Sequence, residues 1–464
     1  MSKHNPFKTF LSVAACKLCR NALRVMKRGG TTLPGRAAMF FDKNILEVVS
    51  HDMEIIVVTG TNGKTTTCGL LRQALKSAGI TALSNKSGAN LLTGITAEFT
   101  CNASLLGRAK NHYAIIECDE GALKKVVPLI QPKVIVVTNL FRDQLDRYGE
   151  VMHTLSAIRE GVSYVPESTL VLNADCSLTA SLASDVPNNV FYYGIDAPAG
   201  DNEDTLSDAK YCIKCGTEYK YNYHTYAHLG DFYCPSCGYS RHMPDISVRE
   251  IKSLTSKGTL VKLQYTDSKK NIVEKDVRIG LPALYNVYNA LAAISAFKTA
   301  GFNINYILRS LVKVNSSFGR METFSYKDVD IQMILVKNPA GCNQALTYLS
   351  SLDQDYTAVF CLNDKTADGH DISWIWDADY EKVCHDPHCR QLLVSGTRAE
   401  DMQVRLKYAG VDESKIRLCS SNEELIDAFT SYKLPVFVLP NYTSMLSLRA
   451  VLGELSGKSE FWKG

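Results

Sequence analysis

The chain lacks any apolar run near the roughly 18 residues that a membrane span requires. Its start also lacks the pattern of a cleaved secretory leader. Both absences lead to the expectation of a cytoplasmic protein. A strong charge bias is missing too. The 51 Lys and Arg against 48 Asp and Glu leave a formal +3 over 464 residues, too little to argue for a nucleic-acid partner. There is no internal repeat and no low-complexity tract. Tryptophan is scarce, and two of the three sit together as Trp374 and Trp376 in "DGHDISWIWD" (368–377). Acids are absent before Asp42, although Lys3, Lys8, Lys17, Arg20, Arg24, Lys27, Arg28 and Arg36 all precede it.

What is present reads as an ordinary globular protein, 45% hydrophobic and 21% charged, long enough for two to four cores. Most of the fifteen cysteines lie in apolar segments, where a reduced thiol behaves as a small hydrophobe. "FKTFLSVAACKLCRNALRVMKR" has helical apolar spacing. Its plain expectation is a basic helix packed on the domain, and its alternative is contact with anionic lipid. "CKLC" (16–19) has no second pair nearby and reads as structural, and "GGTTLPGRAAM" reads as a turn-rich link.

Short apolar strands then alternate with helical stretches: "EIIVVTG", "YAIIEC", "KVIVVT" and "TLVLNA". This predicts a doubly wound α/β domain over 51–321, after a basic helix and linker over 1–50. The alternation breaks at an insertion over 205–245. A helix over 281–301 closes the domain. A second series from "IQMILV" (331–336) onward predicts a Rossmann-like C-terminal α/β domain over 322–464.

Three motifs carry chemistry. "TGTNGKTTT" is a phosphate loop, although Val58 stands where the commonest pattern has its first glycine. Between strand and helix, the backbone of Thr61, Asn62, Gly63 and Thr66 can face phosphate oxygens; Lys64 supplies a point charge and the Thr65 hydroxyl reaches Mg²⁺. "ECDE" sets Glu117, Asp119 and Glu120 at the end of a strand facing the same crevice, where an acid can hold Mg²⁺. "CIKC" and "CPSC" place Cys212, Cys215, Cys234 and Cys237 at the spacing of a closed, structural Cys₄ zinc site. Its surroundings are rich in Tyr and His rather than Lys and Arg, which again argues against nucleic acid. Cys342, Cys384 and Cys389 lack the Gly-x-Cys-x-Gly elbow of a glutaminase nucleophile.

"TGTNGKTTT", "ECDE", "TNLFRDQLD", "LNADC", "LYNVYNALAA" and "GRME" stand in the order seen in Mur ligases and folylpolyglutamate synthases, and the chain resembles that family over about residues 50–340. The resemblance implies an ATP-dependent ligase, in which phosphorylation of a carboxylate precedes displacement of phosphate by an amine. It implies that Lys64 and Thr65 hold the triphosphate, that Glu117 binds Mg²⁺, and that Asn286 and Arg320 contact the nucleotide. The sequence departs from amino-acid-adding members at Gln144, Arg147 and Lys337, where they carry histidine, and in having about fifty residues before the phosphate loop instead of a UDP-sugar domain. These departures and the Cys₄ insertion resemble the branch whose ligase subunits amidate the α-carboxyl of D-glutamate in the stem peptide of lipid II. Ammonia there comes from a GatD-type glutamine amidotransferase subunit. That branch implies an aspartate from the C-terminal domain that orients the partner's histidine: Asp371, with Asp368 as second choice. A stand-alone amino-acid ligase of the Mur or folylpolyglutamate type is the alternative.

Overall fold

The computed structural model describes residues 5–26, 30, 32–85, 89–142, 148–199, 208–255, 258–314 and 320–457. Lys3, Lys27, Arg28, Gln144, Arg147 and the beginning of the expected insertion at 205–207 lie outside these residues, as does the side chain of Arg320.

Three stretches of the N-terminal region form helices. α1 (Pro6–Val25) is capped by Asn5, whose side chain accepts from the N–H groups of Phe7 and Lys8. It buries Thr9, Ser12, Val13 and Cys16. α2 (Thr32–Phe41) replaces the expected turn-rich link, and α3 (Ile45–Ser50) follows. The glycine that suggested a turn has another role: a Cβ on Gly35 would lie 1.8 Å from the Thr93 carbonyl oxygen. Gly35 therefore lets α2 press against the helix beginning at Leu92, and Pro34, near the start of α2, costs no interior hydrogen bond. Cys16 of "CKLC" packs with its Sγ 3.5 Å from that of Cys101, a structural placement.

The first sheet contains β1 (Glu54–Thr59), β2 (Ala82–Ser84), β3 (Tyr113–Glu117), β4 (Val134–Val137), β5 (Thr169–Asn173) and β6 (Val190–Ile195). β1, β3, β4 and β5 are buried along nearly their whole length, as parallel strands covered on both faces must be. α4 (Lys64–Ser77) and the helix Leu284–Thr299 touch each other on one face. The helices Leu123–Ile130 and Tyr148–Ser163 touch each other on the other. α5 (Leu92–Asn102) carries α1, α2 and α3. β7 (Lys220–Tyr226) and β8 (Leu229–Tyr233) form a separate hairpin. The sheet then grows by an antiparallel ribbon absent from the sequence reading: β9 (Ile246–Thr255), β10 (Gly258–Thr266) and β11 (Ile272–Ile279), giving the order β11-β10-β9-β6-β5-β4-β1-β3-β2. One face of that ribbon is solvated, so its strands alternate and carry too much charge to read as apolar runs.

A second, six-stranded sheet follows: β12 (Arg320–Tyr326), β13 (Val329–Ile334), β14 (Tyr356–Cys361), β15 (Cys389–Ser395), β16 (Ile416–Cys419) and β17 (Val436–Pro440), in the order β12-β13-β17-β14-β15-β16. It is parallel except for β12, which pairs antiparallel with β13 and starts the sheet earlier than the apolar runs suggested. The fold is thus α/β with two doubly wound sheets. In the first, the chain departs from β1 to opposite sides, with β3 on one flank and β4 on the other. In the second, β14 lies between β17 and β15. Such reversals leave a crevice beyond the carboxyl ends of the strands, where loops from two directions meet.

Candidate functional site

The crevice beyond β1 is closed around the phosphate loop. Gly63 has φ +89°, and a Cβ there would lie 2.0 Å from Asn289 Oδ1. Only glycine permits both the left-handed backbone and the approach of the helix Leu284–Thr299. The loop is pinned from β4: Thr61 Oγ1 donates to the Phe141 carbonyl (3.1 Å) and accepts from its N–H (3.0 Å). The Asn62 N–H donates to Asn139 Oδ1 (2.9 Å), and Thr138 Oγ1 and Asn139 Nδ2 donate to the Asn62 carbonyl (2.7 and 3.2 Å). A loop held so firmly has its N–H groups oriented before any anion arrives, and α4 begins immediately at Lys64 with its dipole directed at the same point.

Lys64 is buried; its Nζ donates to the Gly60 carbonyl (2.5 Å) and pairs with Glu120 (2.7 Å). The hydroxyl of Thr65 donates to Glu117 Oε2 at 2.7 Å. Glu117 is in turn fixed by Asn85, which accepts from its N–H (2.9 Å) and donates to its carbonyl (2.7 Å). A hydroxyl and a carboxylate side by side form an all-oxygen ligand pair suited to Mg²⁺. Asp119 is used locally, accepting from the N–H groups of Gly121 and Ala122. A cavity of about 300 Å³ opens beside the loop, bordered by Asn62, Gly63, Thr66, Asn286, Asn289 and Lys337. Asn286 donates to the Pro282 carbonyl (2.6 Å) and accepts from Asn289 (3.1 Å), so the two amides act as one rigid unit. The second sheet reaches this cavity as well: Asn338 caps the helix Pro339–Ser350 through the Gly341 N–H and donates to Asn62 Oδ1 at 3.3 Å. The structure therefore brings together all the expected loop residues with Glu117 and Asn286. Asn139, Asn289 and Asn338 were not singled out from sequence. Asn289 carried a signal in its helical i, i+3 spacing from Asn286 in "NVYNALAA", and Asn139 in its place at the strand-to-loop segment "TNLFRDQLDRYG" (138–149), which opens on the same crevice.

The four cysteines of the insertion also converge, with their Sγ atoms all within 4.8 Å of one another. The Sγ atoms of Cys212 and Cys237 are 3.6 Å apart and those of Cys215 and Cys234 3.4 Å. Four sulfurs about 2.3 Å from one tetrahedral ion would be about 3.8 Å apart, so the cluster fits a metal without rearrangement. Gly216 and Gly238, both at φ +75°, turn the two knuckles. The Thr217 hydroxyl and N–H, with Cys234, bring the Cys215 thiol down to about 6, whereas desolvation and the neighbouring sulfurs push that of Cys237 up to about 12, so the fit to a metal rests on the sulfur geometry.

At the end of β14 the loop "NDKTADGHDISWIWD" is tied to the end of β17. Asn363 and Asn441 bond reciprocally (3.1 and 2.6 Å), and Asn363 Nδ2 donates to Thr443 (2.8 Å). The two candidate acids differ in their duties. Asp368 accepts from Thr443 with both carboxylate oxygens, from the N–H at 2.7 Å and from the hydroxyl. Asp371 is exposed and accepts from the Ser373 N–H (2.8 Å) and hydroxyl (2.5 Å) through Oδ1 alone; Oδ2 makes no hydrogen bond among the described residues. Those two donors hold its carboxyl below the usual carboxylate range. Behind it, Trp374 and Ile375 are buried and Arg405 donates to the carbonyls of Ile375 and Ala378, which fixes the turn. The same turn ends at Asp377, whose charge bears on Arg142, a residue of the first sheet's crevice held chiefly by Asp208. Burial pushes the thiols of Cys342, Cys384 and Cys389 up to about 12, unsuited to nucleophilic work.

A phosphate loop at the reversal of one doubly wound sheet, with a second such sheet reaching over the cavity, is the architecture of the Mur ligases, and residues 58–297 match the Mur ligase middle domain, just over half of the chain. Among solved structures, MurF from Acinetobacter baumannii superposes with a TM-score of 0.65 at 17% identity, covering 93% of this chain and 82% of that one. The folylpolyglutamate synthase of Mycobacterium tuberculosis with ADP superposes at 0.61 and 12% identity, over 95% and 99%. Residues 335–445 match the MurT ligase C-terminal family. The chain is 35% identical over 449 residues to the MurT subunit of lipid II isoglutaminyl synthase (glutamine-hydrolyzing) from Streptococcus pneumoniae, spanning 96% of this chain and 97% of that protein. It is 34% identical to the corresponding subunit from Staphylococcus aureus, over 94% and 96%. The chain belongs to the MurT family. Among its described residues no helix is long and apolar enough to cross a membrane.

Proposed function

We propose that this protein is the ligase subunit of a two-component, ATP-dependent carbon–nitrogen ligase. It converts the α-carboxyl of D-glutamate in the stem peptide of lipid II to the amide, with ammonia released from glutamine by a GatD-type partner. ATP, when bound, supplies the phosphoryl group that activates the carboxylate as an acyl phosphate, and Mg²⁺ offsets the charge on its phosphates. In this reading the N–H groups of residues 61–66 and Lys64 orient the triphosphate. Thr65 and Glu117 hold Mg²⁺, and Asn286 and Arg320 contact the nucleotide. Ammonia then attacks the acyl carbon, the carbon–oxygen bond to phosphate breaks, and phosphate leaves. Zinc in the Cys₄ cluster is structural, since four thiolates leave no position for a reacting ligand. The division into 1–50, 51–321 with the insertion at 205–245, and 322–464 is part of the proposal, as is action at the cytoplasmic face of the membrane.

The observation that carries the two-component reading is Asp371. Its charged form is favoured, one oxygen is anchored, and the other is available at the surface to accept from a histidine of another chain. A carboxylate in that position fixes the tautomer and orientation of an imidazole that serves a nucleophile. The test is Asp371→Asn in the purified complex. Glutamine-dependent amidation should fall by at least about 10²-fold, while amidation driven by ammonium chloride, ATP binding and association with the partner stay unchanged. Full glutamine-dependent activity in the variant, or use of glutamine at full rate by this chain alone, would refute the assignment.

A further inference from the structure

α1 has two apolar faces, and only one of them is used by the fold. Thr9, Val13 and Cys16 turn inward. At 100° per residue, Phe7, Leu11, Leu18 and Val25 return to the opposite side. Phe7 is 69% exposed, Leu18 69% and Val25 84%. α2, packed against α1 and likewise seated on α5, adds Leu33 at 55% and Phe40 at 82% exposure, with exposed Arg36 between them on the same face. A soluble helix pair has no reason to leave five large apolar side chains outward along two adjacent axes.

The charges divide in the same way. Lys17 and Arg20 are engaged within the protein: Lys17 Nζ donates to the Ala103 carbonyl (2.5 Å) and Arg20 pairs with Glu98 (2.9 Å). Lys8 and Arg24 flank the outward stripe, and with Arg36 they are exposed and form no ion pair with any described residue. No acid occurs in either helix. An apolar stripe bordered by unpaired cations matches a bilayer surface bearing anionic headgroups, where side chains enter the acyl boundary and the cations meet phosphates. A protein-facing patch would instead need acids opposite these cations.

We infer that the outward face of α1 and α2 docks this protein in the plane of an anionic membrane. The inference leans on the proposed function only in that a lipid-linked acceptor gives such docking a purpose; binding is measurable without turnover. The test is sedimentation of the full chain with vesicles of phosphatidylcholine alone and of phosphatidylcholine mixed with phosphatidylglycerol. The protein should sediment with the mixed vesicles, release at high salt, and ignore the neutral ones. The triple variant Leu18→Ser, Val25→Ser, Phe40→Ser should bind at least about ten-fold more weakly with an unchanged thermal melt. In the complex it should still amidate a water-soluble stem-peptide analogue at the parent rate but lose rate on a vesicle-borne acceptor. Absence of binding to the mixed vesicles, equal binding by the variant, or a dimer that the variant breaks without any vesicle binding would overturn the inference. Failure of the parent complex to amidate either acceptor, with vesicle binding intact, would refute the proposed activity and leave the surface assignment standing.

Discussion

Asp368 and Asp371 lie three residues apart on one loop, and their hydrogen bonds separate a brace within the fold from a carboxylate with one oxygen left at the surface. Asp368 spends both oxygens on Thr443, whereas Asp371 spends one on Ser373. No pattern of letters distinguishes them, because the distinguishing partner comes from a segment about seventy-five residues away. Lys64 and Thr65 are the opposite case: their proposed roles follow from a local strand, loop and helix, so the motif alone singled them out. Lys64→Ala should lower ATP-dependent turnover by about 10²- to 10³-fold. Lys64 is buried beside Glu120, so the Lys64→Met variant should be compared with it in a thermal melt to separate charge from packing.

At the level of elements, the turn Ser373–Asp377 owes its shape to a helix that follows it in sequence. Arg405 donates to Ile375 and Ala378, makes two bonds to Glu381 (3.0 and 2.9 Å), and lies over the Trp376 and Tyr380 rings at 5.7 and 5.2 Å. Arg405→Met keeps the stem but takes the donor from the buried Ile375 carbonyl, removes one of two donors from that of Ala378, which keeps the Tyr380 N–H, and leaves Glu381 without its cation. It should destabilise the protein by about 3 kcal/mol in urea denaturation. Glutamine-dependent amidation should fall more than ammonium-dependent amidation, because the turn presents Asp371. The expectation of a turn-rich link over "GGTTLPGRAAM" (29–39) failed at this same scale, where α2 starts at Thr32. Gly35 was read as a turn residue when its function is contact between helices, a distinction that requires knowing that Thr93 lies opposite.

Across the whole molecule, the Cys₄ insertion is joined to the nucleotide cavity through one buried network. Arg241, just past the second knuckle, donates to Asp175 Oδ1 (2.7 Å), and Tyr288 donates to Asp175 Oδ2 (2.6 Å). The Tyr288 hydroxyl also bonds Thr225 on β7 (2.7 Å). Tyr288 belongs to the same helix as Asn286 and Asn289, which border the cavity. Removal of metal by a chelator should therefore do more than loosen a surface lobe. The expected result is release of about one zinc per chain, a lower melting temperature, and nucleotide affinity reduced several-fold in calorimetry; unchanged affinity in the metal-free protein would show the network to be passive.

Sequence alone determined what depends on neighbours along the chain: the apolar parallel strands β1, β3, β4 and β5 (though not the parallel strands β2 and β6), the phosphate loop, the cysteine knuckles and the order of the ligase motifs. Strand-length apolar runs and turn glycines act within a few residues, so their consequences are written locally. Tertiary structure decided which side chains stand together: Asn139, Asn289 and Asn338 around the loop, Asn85 behind Glu117, and Asp368, but not Asp371, against Thr443. It also decided that α1 carries a spare apolar face. Helical periodicity could announce two stripes, but which one is buried was settled only by where α5 lies.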